Sequence, residues 1–249
     1  MSRTIIGWFS AGVTSTVAIK IALERYDNIQ IYFCETNQHH PDNKRFINEV
    51  ENWYGQKINI LTSNRWKSVE AVLNHGYINS PNGAYCTKVL KKDVRIALEK
   101  IVDYDSQVFG FEYEPKQIKR AERFIEQYPQ SKAIFPLIDE KLNKKDCMDI
   151  LVKAGIELPA MYKLGYSNNN CIGCVKGGMG YWNKIRIDFP EIFNRTAKLE
   201  RKAGHTCIKG VYLDELDPSK GRHEVIELPE CGIYCEVEDF TLLKEVKNE

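Results

Sequence analysis

Two pairs of cysteines stand close enough in sequence to act together: Cys171-Ile172-Gly173-Cys174 and Cys231-Gly232-Ile233-Tyr234-Cys235. Two thiolates on one turn grip a metal from two sides, with glycine relieving the crowding, so two such pairs suit a tetrahedral zinc site or an iron–sulfur cluster. A set of unrelated thiols is the alternative. Cys147 shares a helical face with Ile150, Leu151 and Ala154, and Cys34 ends an apolar strand, so both read as core residues. Cys207, beside His205, is undecided. A second chemical stretch lies near the N-terminus, where Ser10, Ala11, Gly12, Val13, Thr14 and Ser15 link an apolar run to a helical one. Small residues and hydroxyls at a helix N-terminus suit a phosphate or sulfate group. An ordinary N-capped turn fits the same residues.

The elements that must hold these groups follow from periodicity. Ile5, Ile6, Trp8 and Phe9 form the apolar run of a strand covered on both faces, and a helix follows through Val17, Ile19 and Leu23. Further strands are expected at 29–34, 57–61, 107–111 and 133–137, and helices at 66–73, 86–101, 115–128 and 144–154. Phe46, Ile47, Val50 and Trp53 mark one more amphipathic helix. This alternation predicts an α/β fold with a parallel five-stranded sheet and helices on both faces. Ligands of such sheets bind beyond the C-terminal strand ends, where strand order reverses. The first loop, the 35–43 loop that opens with Glu35, and Gly110 all lie at such ends. From Leu158 the alternation stops, so residues 1–157 read as one unit and 158–249 as a Cys-rich appendage.

The chain has 249 residues, with 35 basic against 34 acidic side chains and a net charge of +1, so bulk charge names no partner. No N-terminal apolar segment is long enough for a signal peptide or membrane span, which predicts a cytoplasmic protein with no membrane partner. Eight cysteines then read as thiols, metal ligands or redox groups rather than structural disulfides. Lys88, Lys91, Lys92 and Arg95 share one face of an ideal helix, and Lys116, Lys119, Arg120 and Arg123 repeat the spacing. A solvated face is one reading. The other points the first members of each stripe at a polyanion near the first loop. Lys176, Lys184 and Arg186 flank Tyr181 and Trp182, a pattern that suits stacked bases, with Trp182 as a core anchor the alternative.

Six stretches, in order, resemble the phosphoadenosine phosphosulfate (PAPS) reductase family of adenine-nucleotide α-hydrolase folds with a phosphate-binding PP-loop. Ser10-Ala11-Gly12-Val13-Thr14-Ser15 resembles S-G-G-x-D-S, and Cys86-Thr87-Lys88-Val89-Leu90-Lys91 resembles C-C-x-x-R-K. Gly110 with Arg120-Ala121 resembles G-x-R…R-A, and Pro136-Leu137 the P-L after it. Gly165-Tyr166 with Cys171 and Cys174 resembles G-Y…C-x-x-C, and Glu230-Cys231-Gly232-Ile233 resembles E-C-G-L-H. The resemblance implies a Rossmann-like fold with an adenine nucleotide (PAPS, adenosine phosphosulfate or ATP) on the first loop. Ser10, Ala11, Gly12, Val13, Thr14, Ser15, Glu35, Lys88, Lys91, Gly110 and Arg120 are the candidate nucleotide and phosphate ligands. It also implies a [4Fe–4S] cluster on Cys86, Cys171 and Cys174, with zinc as the alternative, and a tail thiol, Cys231 or Cys235, as nucleophile or further ligand. A thioredoxin-like reductant would release the product. Departures from the pattern are Ala11 for a glycine, Thr14 for an acidic residue, Thr87 for a cysteine, Glu112 near an expected arginine, and Tyr234 for the tail histidine. His40-Pro41-Asp42-Asn43 and Asn168-Asn169-Asn170 have no part in this chemistry.

The expected activity is thus sulfonucleotide reduction or sulfur transfer. Two alternatives stand beside it: an ATP-dependent sulfur transferase acting on a nucleic-acid base, and a non-catalytic nucleotide-binding module with zinc on Cys171, Cys174, Cys231 and Cys235.

Overall fold

The computed structural model describes residues 4–78, 83–222 and 233. In chain order the elements are β1 (Thr4–Phe9), α1 (Val13–Arg25), β2 (Ile29–Cys34), α2 (Asn43–Tyr54), β3 (Asn59–Leu61), α3 (Val69–Asn74) and α4 (Tyr85–Thr87). A π-helical turn, Lys88–Lys92, joins α4 to α5 (Asp93–Glu99). Then come β4 (Tyr104–Val108), α6 (Pro115–Gln127), β5 (Ala133–Ile134), α7 (Pro136–Asp139), α8 (Lys144–Lys153), α9 (Ala160–Lys163), α10 (Met179–Asp188) and α11 (Pro190–Ala203).

The five strands pair in the order β3-β2-β1-β4-β5, all parallel. Chain order therefore reverses between β1 and β4, the point where such sheets open a crevice. Strand β1 is apolar along nearly its whole length because both its faces are covered. One face packs Phe9, Ile31, Phe46 and Leu151 beneath α1, α2 and α8. The other packs Ile6, Trp8, Leu98 and Phe124 beneath α5 and α6. Local signals set the helix ends. Pro115 occupies the first turn of α6, the Asn143 and Asp146 side chains form a capping box at α8, and Gly55 takes φ 74° after α2.

A third core lies outside the sheet. Trp182, Tyr181, Phe193, Cys171, Cys174 and Cys207 pack with Val72, Val89 and Leu90, so α3 and the π-helical turn share a core with the 161–216 stretch. Among the described residues no helix is long and apolar enough to cross a membrane.

Several boundaries differ from expectation. Strand β4 ends at Val108, so Phe109 and Phe111 become crevice wall rather than strand. The fifth strand stops at Ile134 because Pro136 starts a helical turn. The third strand begins at Asn59 and the helix after it at Val69, whose cap is Ser68. The helix expected over 86–101 is broken by the π turn, in which the Asp93 N–H reaches the Lys88 carbonyl. That extra residue per turn dissolves the expected basic stripe. Lys88 faces solvent and pairs with Asp93 at 3.1 Å, Lys91 turns into the crevice, and Arg95 is buried against Glu99 at 2.8 Å.

Candidate functional site

A pocket opens at the β1/β4 reversal. Its floor is the 10–15 loop; Ser10, Gly12, Thr14 and Ser15 line it. Gly12 precedes α1 in extended conformation with no side-chain cap, so the first N–H groups of a 13-residue helix point outward without a carboxylate or hydroxyl of that residue to cap them. The loop is tied to itself: the Ser15 hydroxyl donates to the Gly12 carbonyl at 3.0 Å and accepts the Ser10 N–H at 3.1 Å. The Thr16 hydroxyl donates to the same carbonyl at 2.8 Å. Ala11 takes φ 59°, the left-handed region, where the sequence pattern elsewhere has glycine. Gly110 closes the other side. A Cβ on it would lie 2.5 Å from the Ser15 nitrogen, so only glycine lets this strand end meet the start of α1.

Two side chains from beyond residue 158 hold the loop from above. The Tyr162 hydroxyl accepts the Val13 N–H at 3.3 Å. Asn169 donates from Nδ2 to the Ala11 carbonyl at 2.8 Å and to Asn43 Oδ1 at 2.9 Å. The two polar segments left without a role in the sequence therefore meet at the first loop.

The walls combine two chemistries. Trp8, Phe33, Phe109, Phe111 and Phe124 supply an aromatic surface, suited to a planar base. Lys91 and Arg120 supply the cations. Arg120 is only 7% exposed, lies 4.2 Å over the Phe111 ring and donates to Gln117 Oε1 at 3.2 Å. The pocket thus brings together Ser10, Gly12, Thr14, Ser15, Lys91, Gly110 and Arg120. Ala11 and Val13 do not line it; the Ala11 carbonyl is held by Asn169 and the Val13 N–H by Tyr162. Lys88 and Glu35 stand outside the pocket wall.

Glu35 instead organises the β2 loop. Its Oε1 accepts the Thr36 and Asn37 N–H groups, each at 2.7 Å, and meets His39 Nδ1 at 2.9 Å. Burial pushes this carboxyl up, but those contacts outweigh it and hold it at about 2. Beyond His39 lies Cys171, whose Sγ is 3.1 Å from the Thr36 hydroxyl. Burial opposes charge on His39, yet the facing Cys171 thiol and Glu35 push the ring up to about 9. Burial likewise opposes ionisation of Cys171, and His39 and Lys91 outweigh it, bringing the thiol down to about 7.

The remaining thiols differ. Burial pushes Cys34 up to about 11 and Cys147 up to about 12, the behaviour of core residues. Cys207 is buried, and burial with the facing Glu200 pushes its thiol upward. Cys86 packs against the same core as Cys171, Cys174 and Cys207. Among the described residues no group of three or more His, Cys, Asp or Glu side chains is arranged to hold a metal ion. Cys231 and Cys235 lie outside the described residues. The base-stacking reading of α10 is corrected. Trp182 is fully buried and Tyr181 2% exposed, with the Tyr181 hydroxyl accepting the Cys174 N–H at 2.9 Å. Neither ring has a face to offer a base.

Tyr162, Asn169 and His39 escaped sequence reasoning as site residues. The runs around Asn169 and His39 were visible as unusual polar stretches, whereas nothing around Tyr162 marked it.

The profile of the phosphoadenosine phosphosulfate reductase domain matches residues 4–177. No curated protein matches. Among solved structures, the chain is similar to phosphoadenylyl-sulfate (PAPS) reductase from Candida auris in its phosphate complex, at 14% identity and a TM-score of 0.52, over 69% of this chain and 82% of that one. It is also similar to the U34-tRNA thiolase NcsA from Methanococcus maripaludis with its [4Fe-4S] cluster, at 13% identity and a TM-score of 0.41, over 91% of this chain and 84% of that one. The first likeness shows the fold.

Proposed function

The chain belongs to the phosphoadenosine phosphosulfate reductase domain family, whose profile spans residues 4–177, and on that premise we propose that it binds an adenine sulfonucleotide and reduces it with its own thiols. One observation carries this reading: the 10–15 loop, Lys91, Arg120 and the aromatic wall line one pocket together with Ile233. Ile233 stands two residues from Cys231 and two from Cys235 in sequence.

In this reading the aromatic wall takes the base. Lys91, Arg120 and the hydroxyls of Ser10 and Thr14 neutralise the phosphate and sulfate by charge-assisted hydrogen bonds. The Cys231 thiolate attacks the sulfate sulfur. A sulfur–sulfur bond forms, the sulfur–oxygen bond to the nucleotide breaks, and the nucleotide leaves with that oxygen. A protein dithiol of the thioredoxin class then attacks the cysteine sulfur. Sulfite leaves carrying the electron pair, and the reductant ends as a disulfide.

Incubation with PAPS under anaerobic conditions, followed by mass spectrometry, should find a thiosulfonate on Cys231. Turnover undiminished in Cys231→Ser sinks this assignment. Iron content and the visible spectrum of the anaerobically purified protein decide the metal question: a brown, iron-bearing chain supports a cluster beside the nucleotide site, and a colourless chain with stoichiometric zinc and no nucleotide turnover favours a binding module instead.

A further inference from the structure

Gln107 is a fully buried amide in the middle of the sheet, on β4 between β1 and β5. It pairs in register with Ile6, so it shares a face with Trp8, two residues further along β1. Its Oε1 accepts the Trp8 indole N–H at 2.6 Å, and its Nε2 donates to Glu99 Oε1 at 2.9 Å. Glu99 is held in turn by Arg95, one guanidinium nitrogen of which lies 2.9 and 2.8 Å from the two carboxylate oxygens. Tyr104 adds a further side-chain hydrogen bond to Gln107. The indole only donates and the carboxylate only accepts, so a single orientation of the amide serves both. Reversed, it would set N–H against N–H and oxygen against oxygen. This chain of contacts ends at the pocket: Trp8 is 5% exposed and lines it, with its ring tilted 44° to the Tyr32 ring 6.1 Å away.

We propose that Gln107 is a positioning residue of this site: it fixes the plane of Trp8, and with it the orientation of the aromatic wall that takes the base. The inference rests on the nucleotide-binding reading and assigns one residue within it. Packing alone does not call for glutamine here, because leucine or methionine would fill the strand position without the cost of burying an amide. An indole deprived of its acceptor is left with a buried, unpaired N–H, and the ring turns to find another partner. Gln107 acts on the ligand through Trp8, so the nucleoside should feel its loss and the phosphate should not.

The test is calorimetric titration of the full chain with adenosine and with inorganic phosphate, in the parent, Gln107→Met, Trp8→Phe and the double variant. Gln107→Met keeps an unbranched side chain and removes both hydrogen bonds. It should weaken adenosine about fivefold, part of the worth of a base–aromatic stack, and leave phosphate affinity unchanged. In the Trp8→Phe background the same substitution should cost adenosine nothing more, because no indole is left to hold. Nitrogen–proton NMR gives a second readout. The Trp8 indole signal, identified by its loss in Trp8→Phe, should exchange slowly with solvent in the parent and quickly in Gln107→Met. The parent half of that measurement stands even where Gln107→Met folds poorly. Parent-like adenosine affinity in Gln107→Met overturns the proposal, as does an equal loss for phosphate, a loss that adds to that of Trp8→Phe, or fast indole exchange in the parent. Parent protein that binds phosphate but not adenosine overturns the positioning role alone. Parent protein that binds neither overturns the nucleotide-binding reading with it.

Discussion

Asn169 and Asn43 lie 126 residues apart in sequence and meet side chain to side chain, Asn169 Nδ2 donating to Asn43 Oδ1 at 2.9 Å. The same nitrogen holds the Ala11 carbonyl at 2.8 Å. A carbonyl only accepts, so it fixes which end of Asn169 is nitrogen, and that in turn fixes Asn43. The segment around Asn169, the first loop and the start of α2 are thereby joined at one point. Asn169→Leu, similar in size but without a donor, should leave the buried Ala11 carbonyl unpaired and cost about 1–3 kcal/mol. Urea denaturation should show a lower midpoint with an unchanged slope; an unchanged midpoint would show that the contact holds nothing.

Gly110 is the tightest steric constraint on the site. Gly110→Ala places a methyl group 2.5 Å from the Ser15 nitrogen and 2.8 Å from the Thr14 carbonyl carbon, both backbone atoms that cannot swing away. The start of α1 must shift. Thermal unfolding should drop by several degrees, as expected for a cost of about 1–3 kcal/mol from overpacking, and phosphate binding should weaken with it. Parent-like melting and binding would mean that the strand end and helix start tolerate separation.

Glu35 should make stability depend on acid. Its carboxyl is held at about 2 against an ordinary value of 4.5, because the His39 contact and two backbone N–H groups outweigh burial. A depressed carboxylate contributes stability that is fully present above the ordinary value and lost as pH falls through the folded one. Comparing the parent with Glu35→Gln in chemical denaturation should therefore show a gap of about 1–3 kcal/mol above pH 4.5 that closes toward pH 2. A gap independent of pH would refute the ionic account. His39 runs the other way: raised from 6.5 to about 9, it contributes below 6.5 and loses that contribution as pH rises through 9.

Trp182 should behave as a core residue. It is fully buried among Phe193, Tyr181 and the cysteine-bearing turn. Trp182→Ala should cost about 3–5 kcal/mol, measured by denaturation. A variant as stable as the parent that has lost affinity for a nucleic acid would restore the stacking reading.

Much of this fold was legible in the sequence because it rests on local periodicity. The apolar run before Ser10, the small-residue loop and the helix after it fix one another within about twenty residues. Strand–helix alternation implies a parallel sheet, and short crossovers leave few topologies open. Pro115 and the Asn143–Asp146 box mark helix starts by local chemistry alone. The candidate loop, Lys91, Gly110 and Arg120 could be named from motif order, and they line one pocket.

What only the tertiary structure decided comes from long-range contacts and from departures from ideal geometry. The Tyr162 hydroxyl reaches Val13 across 149 residues, and no periodicity encodes such a pairing. The π turn at Lys88–Lys92 rotates one lysine outward and another inward, so a face drawn at 3.6 residues per turn was wrong from its first residue. The aromatic pair Tyr181 and Trp182 carries the same letters whether it faces solvent or core, and only the packing of α11 against it chose the core. His39 reads as one polar loop residue until Glu35 on one side and Cys171 on the other give it a charge. The sequence by itself determined the sheet, the loop and the family; the tertiary structure decided which side chains reach the loop, because that depends on where distant segments pack.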